Sequence, residues 1–516
     1  MFKRILFLVA FLLVIIDVTA QFTNVLISGQ NTPNEPSIAI DYNNTNTLLA
    51  GSNINNYYIS NDGGLTWSEN IISSSLGVWG DPAMLIDDNG SFYFFHLANG
   101  TNFIDRIICQ KSIDNGVSWS DGTYFGLNGD KDQDKEWIAL DRNNGNIYAL
   151  WTEFDFYGST NSFKKTRILF TKSTDSGNTW SSPIKINEVN GDCVDSSNTV
   201  EGAVPAIGPN GEIYTAWAGP DGIIFDKSVS YGLVWSPTDV IVDPLPTGWD
   251  FNVPGLDRCN GLPITKCDIS GGNYNGTIYV NWSDQRNGND DTDIWLKKST
   301  DGGDTWSNLI RVNNDPVGTH QFLSWMDIDQ TNGNIYIVYY SRENYNDNRT
   351  DVYLAYSTNG GDTFENVKIS ETPFVPNPNV FFGDYTNIAA HNGVIRPIWS
   401  RMDNSATSIW TAIVNENALL SSSKINSQKD YKIDNYPNPI SDELTISFEL
   451  DEMSSVDLSL YAVTGQKLTT FFVDKKCSSG KNILKIPFSK LNLKSGIYFY
   501  KLKIGGQLIS RKIIVK

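Results

Sequence analysis

An eight-residue turn recurs along this 516-residue chain and limits the fold more than any other feature. Ser60-Asn61-Asp62-Gly63-Gly64-Leu65-Thr66-Trp67 returns as SIDNGVSW at 112–119, STDSGNTW at 173–180 and STDGGDTW at 299–306. Two degenerate copies keep the frame: SVSYGLVW at 228–235 has Ser230 for the Asp, and STNGGDTF at 357–364 has Asn359 and Phe364. Each copy has the chemistry of a hairpin turn. The Ser and Asp side chains bond turn amides, Gly takes the positive φ, and Trp plugs the core beside the turn. The copies stand about 50–70 residues apart, which suits a four-stranded unit rather than a helical repeat.

A second block precedes each turn: an apolar strand, a Gly-containing turn, and a strand ending in an aromatic. WIALDRNNGNIYALW at 137–151 and WMDIDQTNGNIYIVYY at 325–340 are examples, and their period-two alternation predicts strands. The block starts seven times, near Glu35, Asp81, Glu136, Glu201, Cys267, Trp325 and Asp384. The seventh unit lacks the turn and a clear fourth strand, which Phe22 to Ser28 can supply from the N-terminal side, closing a ring without open edges. The chain therefore reads as an all-β propeller, with seven blades the better count and six the alternative. Abundant aromatics (15 Trp, 23 Tyr, 25 Phe) and 42 Gly agree with many short strands and tight turns.

The ends differ from this body. Lys3 and Arg4, the apolar run Ile5 to Ile16 and Val18-Thr19-Ala20 have the layout of a secretory signal over 1–20, too short in its apolar part for a membrane span. Residues 21–435 carry a net charge of −25 and residues 436–516 one of +5. A body so acidic repels phosphate backbones, which argues against a nucleic-acid partner. No later apolar stretch is long enough for a transmembrane anchor. Residues 416–433, rich in Ser, Asn and Lys, make a linker.

The turns resemble the Asp boxes of the sialidase-like, or BNR-repeat, β-propeller superfamily, and the resemblance runs over roughly 31–415 within a propeller domain at 21–415. It implies turns between outer strands, away from the substrate face, and identifies a fold rather than an activity. The tail, from Tyr436-Pro437-Asn438-Pro439 through VDLSLYAVTGQKL to SGIYFYKLKIGGQLISRKIIVK, resembles the type A sorting domain of the type IX secretion system across 434–516. Its alternation predicts a small β-sandwich, and a carbohydrate-binding sandwich is the other reading. The sorting resemblance implies the secretion machinery as a partner and a released or surface-attached product.

Chemistry is expected on the face opposite the turns. The strand starts bring Glu35, Asp81, Glu136, Glu201 and Asp384 around the central pore, where crowding raises pKa values and can serve a general acid or hold a cation. Arg286, Arg342 and Arg401 follow second strands at related places. They are candidates to clamp a substrate carboxylate, or else to pair with Asp284, Glu343 or Asp403 beside them. Carried over from sialidases, Tyr385 stands as the nucleophile, Glu201 as the Glu that polarises it, and Asp81 as acid/base. Two family features are missing: no Phe-Arg-Ile-Pro precedes the first turn, and Ala216 to Gly219 stand where an Arg is expected.

No cofactor motif is present, and the three His lie far apart in sequence. The loop Asn289 to Asp293 has the composition of a structural calcium loop or of a solvated acidic turn. Cys259 and Cys267 form the one close cysteine pair, a disulfide if oxidised. Two functions from different classes are compatible with these residues. One is a secreted glycoside hydrolase that removes terminal acidic sugars. The other is a non-catalytic surface propeller that binds glycan or protein.

Overall fold

In the computed structural model the described residues are 22–100, 102–420, 431–451, 453–463, 466–491, 493–504 and 507–516. The signal reading at 1–20 and the centre of the linker at 421–430 lie outside them. The chain forms two compact units that divide between Leu419 and Leu420.

Among the described residues of the first unit, seven four-stranded antiparallel sheets are present. Their innermost strands are Ser37–Ile40, Gly80–Ile86, Asp132–Asp141, Glu201–Ile207, Ile264–Cys267, Gln321–Asp329 and Asn387–His391. Each inner strand lies against the next, and the seventh lies against the first, so the sheets form a closed ring. In six sheets the four strands follow in chain order. The seventh takes its outermost strand from the start of the chain: Thr23–Ser28 pairs antiparallel with Ala406–Asn415. That pairing makes the last strand added hold the first and last sheets together, as expected for a ring with no free sheet edge.

The repeated turns link third to fourth strands, and their local chemistry explains the motif. At 299–305 Ser299 Oγ accepts the Gly303 amide at 2.9 Å and donates to Asp301 Oδ1 at 2.7 Å. Asp301 in turn accepts the Thr305 amide at 3.0 Å and hydroxyl at 2.5 Å. The bonds from Thr305 and Ser299 hold the Asp301 carboxyl at about 2, and those from Ser118 and Ser112 do the same for Asp114. Where Ser230 replaces the acid, its hydroxyl still accepts the Val234 amide at 2.8 Å, so the degenerate copy keeps the turn. Gly303 has φ +89°, and a Cβ there would lie 2.1 Å from the Phe225 ring of the neighbouring sheet. Trp306 meets the same ring edge-on at 5.2 Å, so each turn fastens one sheet to the one before it.

Ser299→Ala should therefore cost about 1 kcal/mol in chemical denaturation, because Ser299 is buried and its turn amide loses its acceptor. The acid has its own pH signature. Its folded pKa lies below the ordinary 3.8, so its contribution is complete above that value and disappears as pH falls toward 2. Asp301→Asn should flatten that acid limb, as followed by urea midpoints between pH 5 and pH 2.

The second unit is a sandwich of a three-stranded and a four-stranded sheet. Ile446, Phe448, Leu458, Leu460, Tyr500 and Leu502 alternate inward to fill its core. No helix among the described residues is long and apolar enough to cross a membrane. The five cysteines are all free and buried. A Cys259–Cys267 disulfide is thus not formed: Cys259 sits on a short hairpin paired with Phe251, while Cys267 ends an inner strand.

Candidate functional site

An irregularity shared by four inner strands shapes the face opposite the turns. Their pairing with the second strands slips between Gly80 and Ala83, Asp134 and Trp137, Glu201 and Val204, and Phe322 and Trp325. Within the slips Asp81, Lys135 and Leu323 have φ near +50°, and Gly202 has +81°. These are β-bulges, which let consecutive residues turn toward the pore instead of alternating across the sheet.

Lys135 and Asp384 lie at the centre. Lys135 Nζ is 2.8 Å from Asp384 Oδ2 and 3.5 Å from Asp81 Oδ2, and both Lys135 and Asp384 are buried. Arg258 grips the same carboxylate from the other side. Its Nε donates to Asp384 Oδ1 at 2.7 Å and its Nη2 to Oδ2, while Nη1 donates to Asp195 Oδ2 at 3.1 Å. Burial pushes the Asp384 carboxyl up, but Lys135 and Arg258 outweigh it and hold it at about 2. Glu35 accepts the Asp384 amide at 3.0 Å and a bond from Asn53, whose own Oδ1 accepts the Asp81 amide at 2.8 Å. Tyr157 donates to Asp195 at 2.6 Å.

Around this ion-paired centre stand carboxyls of another kind. Glu136 and Glu201 are 1% exposed, and neither side chain has a hydrogen-bond partner. Burial raises the pKa of both well above the ordinary carboxylate range, reinforced by Asp81 at Glu136 and by Asp195 at Glu201. Burial also raises Asp134 and Glu35, with Asp81 adding to it at Glu35. Tyr385 packs between Trp137, edge-on at 5.1 Å, and Trp325 at 6.0 Å, and burial with the Asp81 and Glu35 charges raises its phenol pKa. One end of the ring thus holds acids and a phenol whose pKa values burial raises, beside a carboxylate whose pKa Lys135 and Arg258 lower. Such opposed tuning in one place is the usual mark of a working site.

The strand-start residues Asp81, Glu136, Glu201, Asp384 and Tyr385 all reach this cluster. The three arginines do not meet there, and this corrects the expected clamp. Arg286 is held by Asp243 at 2.7 Å and by Asp284, and its guanidinium stacks on Trp295. Arg401 pairs with Asp403 at 2.6 Å and caps the Thr372 carbonyl. Arg342 is buried, but its partners are the Pro254 carbonyl at 2.6 Å and Thr350 rather than Glu343. The cations at the axis are instead Lys135 and Arg258, which the sequence reading did not single out.

Among the described residues no group of three His, Cys, Asp or Glu side chains could hold a metal ion. In the loop considered for calcium, Asp293 is already bound by Arg311 at 2.6 Å and Asn313 at 2.7 Å. His391 is stacked on Tyr42 at 3.8 Å, with Arg142 3.6 Å from the ring centre on its other side, so it is a packed residue at the turn-side mouth of the pore.

Two cavities of about 20 Å³ adjoin the cluster, and both are lined by Lys135, Asn260, Leu262 and Asp384. The first adds Tyr385, Trp137 and Trp325, and the second adds Glu201, Asp195, Asp250 and Arg258. A larger axial space of about 220 Å³ runs behind Trp137 and Trp325 between the inner strands.

Residues 434–516 match the family described as the secretion system C-terminal sorting domain. The chain is accordingly a secreted protein, addressed through the type IX system. No curated protein matches the chain. Among solved structures it is similar to a Hadza microbial sialidase at 13% identity, covering 71% of this chain and 73% of that one with a TM-score of 0.41. A polysaccharide lyase of family PL25, an ulvan lyase, is similar at 15% identity over 77% and 94% of the two chains, with a TM-score of 0.45. An alpha-L-arabinanase of Penicillium chrysogenum is similar at 13% identity over 77% and 98%, TM-score 0.41. At these identities the likenesses say nothing about substrate.

Proposed function

We propose that this is a secreted glycan-acting propeller, and that its working centre is the carboxyl cluster at the pore mouth opposite the repeated turns. The finer reading is a glycoside hydrolase that removes terminal acidic sugars. One observation carries it: Tyr385, Glu201, Lys135 and Arg258 line the two adjoining cavities at the pore mouth, and the buried, unbonded carboxyl of Glu136 follows Lys135 on the same strand. A protonated carboxyl suits a general acid for a leaving sugar oxygen, and the cations suit the charge of an acidic ring. A neutral phenol as nucleophile avoids repulsion from such a ring, which a carboxylate nucleophile would meet. Asp81 is the acid that acts most strongly on Tyr385, so in this reading Asp81 rather than Glu201 takes the phenol proton as its oxygen attacks.

A non-catalytic binding propeller is the second reading. It is favoured by the engagement of Arg286, Arg342 and Arg401 elsewhere and by cavities that each hold about one water. Hydrolysis separates the two. The purified chain is offered a fluorogenic sialoside beside neutral and uronic glycosides. Release from the sialoside, reduced at least about 1,000-fold in Tyr385→Phe, is the result expected of the hydrolase. Release from another glycoside only would keep the class and reassign the residues. Silence across the panel by the folded chain would leave the binding propeller.

A further inference from the structure

Between the fourth and fifth sheets the chain makes a hairpin that belongs to neither. Asp250–Phe251 pairs with Cys259–Asn260, and the Gly261 amide donates to the Trp249 carbonyl at 2.7 Å. The hairpin crosses the pore mouth and touches four other parts of the ring. Trp249 donates to the Thr199 carbonyl at 3.1 Å, Gln285 to the Asn252 carbonyl at 2.7 Å, and Arg342 to the Pro254 carbonyl at 2.6 Å. At the seventh sheet Phe382 donates to Asp257 at 3.3 Å, Asn260 donates to the Asp384 carbonyl at 2.9 Å, and Arg258 holds the Asp384 carboxylate.

From these contacts we infer that the hairpin 249–260 is a strap closed over the axial cluster, that Arg258 is its latch, and that it lifts to admit a glycan. The functional part of this inference rests on the reading of the cluster as the working centre; the motion does not. Three observations support it. The strap walls both cavities, through Asn260 in each and through Trp249, Asp250, Arg258 and Cys259 in the second. Each holds about one water with the strap down, whereas sites for sugar-sized ligands need about 300–1,000 Å³. Yet Glu201 faces the second cavity fully buried with neither oxygen bonded, so a polar partner is missing there.

The strap is also built to move as a piece. It adds no strand to the ring, which is closed independently by Thr23–Ser28. Its feet are Gly248, with φ +75°, and Gly261, where a Cβ would stand 1.9 Å from the Ser283 carbonyl oxygen. The latch is within reach of solvent, since 40% of the Arg258 side chain is exposed while Asp384 beneath it is buried. The strap's own Trp249, Phe251, Val253, Leu256 and Cys259 are buried, so the closed form is the resting one.

Hydrogen exchange on the full chain tests the motion without any substrate. Amides of 249–261 should exchange roughly 100-fold or more faster than those of Ile264–Cys267 and Ile278–Asp284 beside them. Arg258→Ala should quicken the strap further and leave those strands unchanged, with Arg258→Lys between. Equal rates in strap and strands, rising only with global unfolding, would overturn the inference. A lock tests the gating. A Cβ on Gly255 would lie 3.3 Å from that of Asn348, so Gly255→Cys with Asn348→Cys can close a disulfide across the strap tip. Because Gly255 has φ +85°, a cysteine there is strained, and the reduced double variant is the reference for the oxidised one. The oxidised double variant should lose glycoside release at least about 10-fold and regain it on reduction. Release unchanged by oxidation would refute the gate while leaving the hydrolase standing; where no glycoside is turned over, the exchange rates alone decide.

Discussion

Replacing Lys135 by methionine is expected to cost the propeller about 3–5 kcal/mol, the range for removing one partner of a buried ion pair. The reason lies in the count of charges that face it. Lys135 meets Asp384 at 2.8 Å and Asp81 at 3.5 Å, and it is further influenced by Asp134 and Glu35. Burial pushes the Lys135 ammonium pKa down, yet these four acids carry it above its ordinary 10.5, so the cation is intact at every pH where the protein works. Without it Asp81 keeps no cation and Asp384 keeps Arg258 alone. Unfolding by urea at pH 7.5 and at pH 5 gives the check.

The pH dependence has a definite sign. Glu35, Asp134 and Glu136 have folded pKa values above their unfolded ones of about 4, so the folded state binds more protons than the unfolded chain through that interval. Stability contributed by those protons is present at low pH and is lost as pH rises through the folded values. Removing the ammonium raises the folded values further, so the deficit of the methionine variant should be smaller at pH 5 than at pH 7.5. A loss under about 1 kcal/mol at both would mean that the pair gives the fold little and that water already shields the cluster.

A chain that begins at Gly29 should not form the closed ring. Thr23–Ser28 contributes the outer strand of the seventh sheet, from Thr23 opposite Ile413 to Ser28 opposite Ile409. Phe22 and Ile27 are buried, each contributing about 1.5–3 kcal/mol by burial. The strand also ties sheets together: Asn24 bonds the Ile369 carbonyl at 2.7 Å and the Glu371 amide at 2.8 Å, and Ser28 bonds Glu69 at 2.6 Å. Its loss removes more than about 5 kcal/mol by these terms and bares the edge of Ala406–Asn415 to self-association. The expected outcome is an aggregating chain with a melting midpoint at least about 10 °C lower. A synthetic peptide of residues 21–30 should restore part of it by adding the strand in trans. A truncated chain that stays monomeric with an unchanged midpoint would show that the ring does not depend on this closure.

The turns and the closing strand were legible in the sequence because their causes are local. Ser299, Asp301 and Gly303 bond within five residues, and an unfinished seventh repeat asks for a strand from elsewhere. The acids at strand starts were legible from the same repeat frame. Lys135 was not, because a period-two pattern assigns neighbours to opposite faces, and only the bulge with φ +53° brings Asp134, Lys135 and Glu136 to one mouth. Arg258 lies in an insertion that no repeat covers. Arg286 and Arg401 show the converse: correct spacing along the blades was overridden by Asp284 and Asp403 two residues away.

Where a glycan touches the propeller is the most direct measure of the central claim. Hydrogen exchange of the full chain, with and without a saturating pool of mucin-derived sialylated oligosaccharides, reads it over the whole surface. Protection is expected at 134–137, 201–204, 249–262 and 383–386, around the pore mouth, and it should vanish in Lys135→Met that is still folded at pH 5. Protection confined to the repeated turns on the opposite face, or none anywhere, would contradict the assignment of the axial cluster as the working centre.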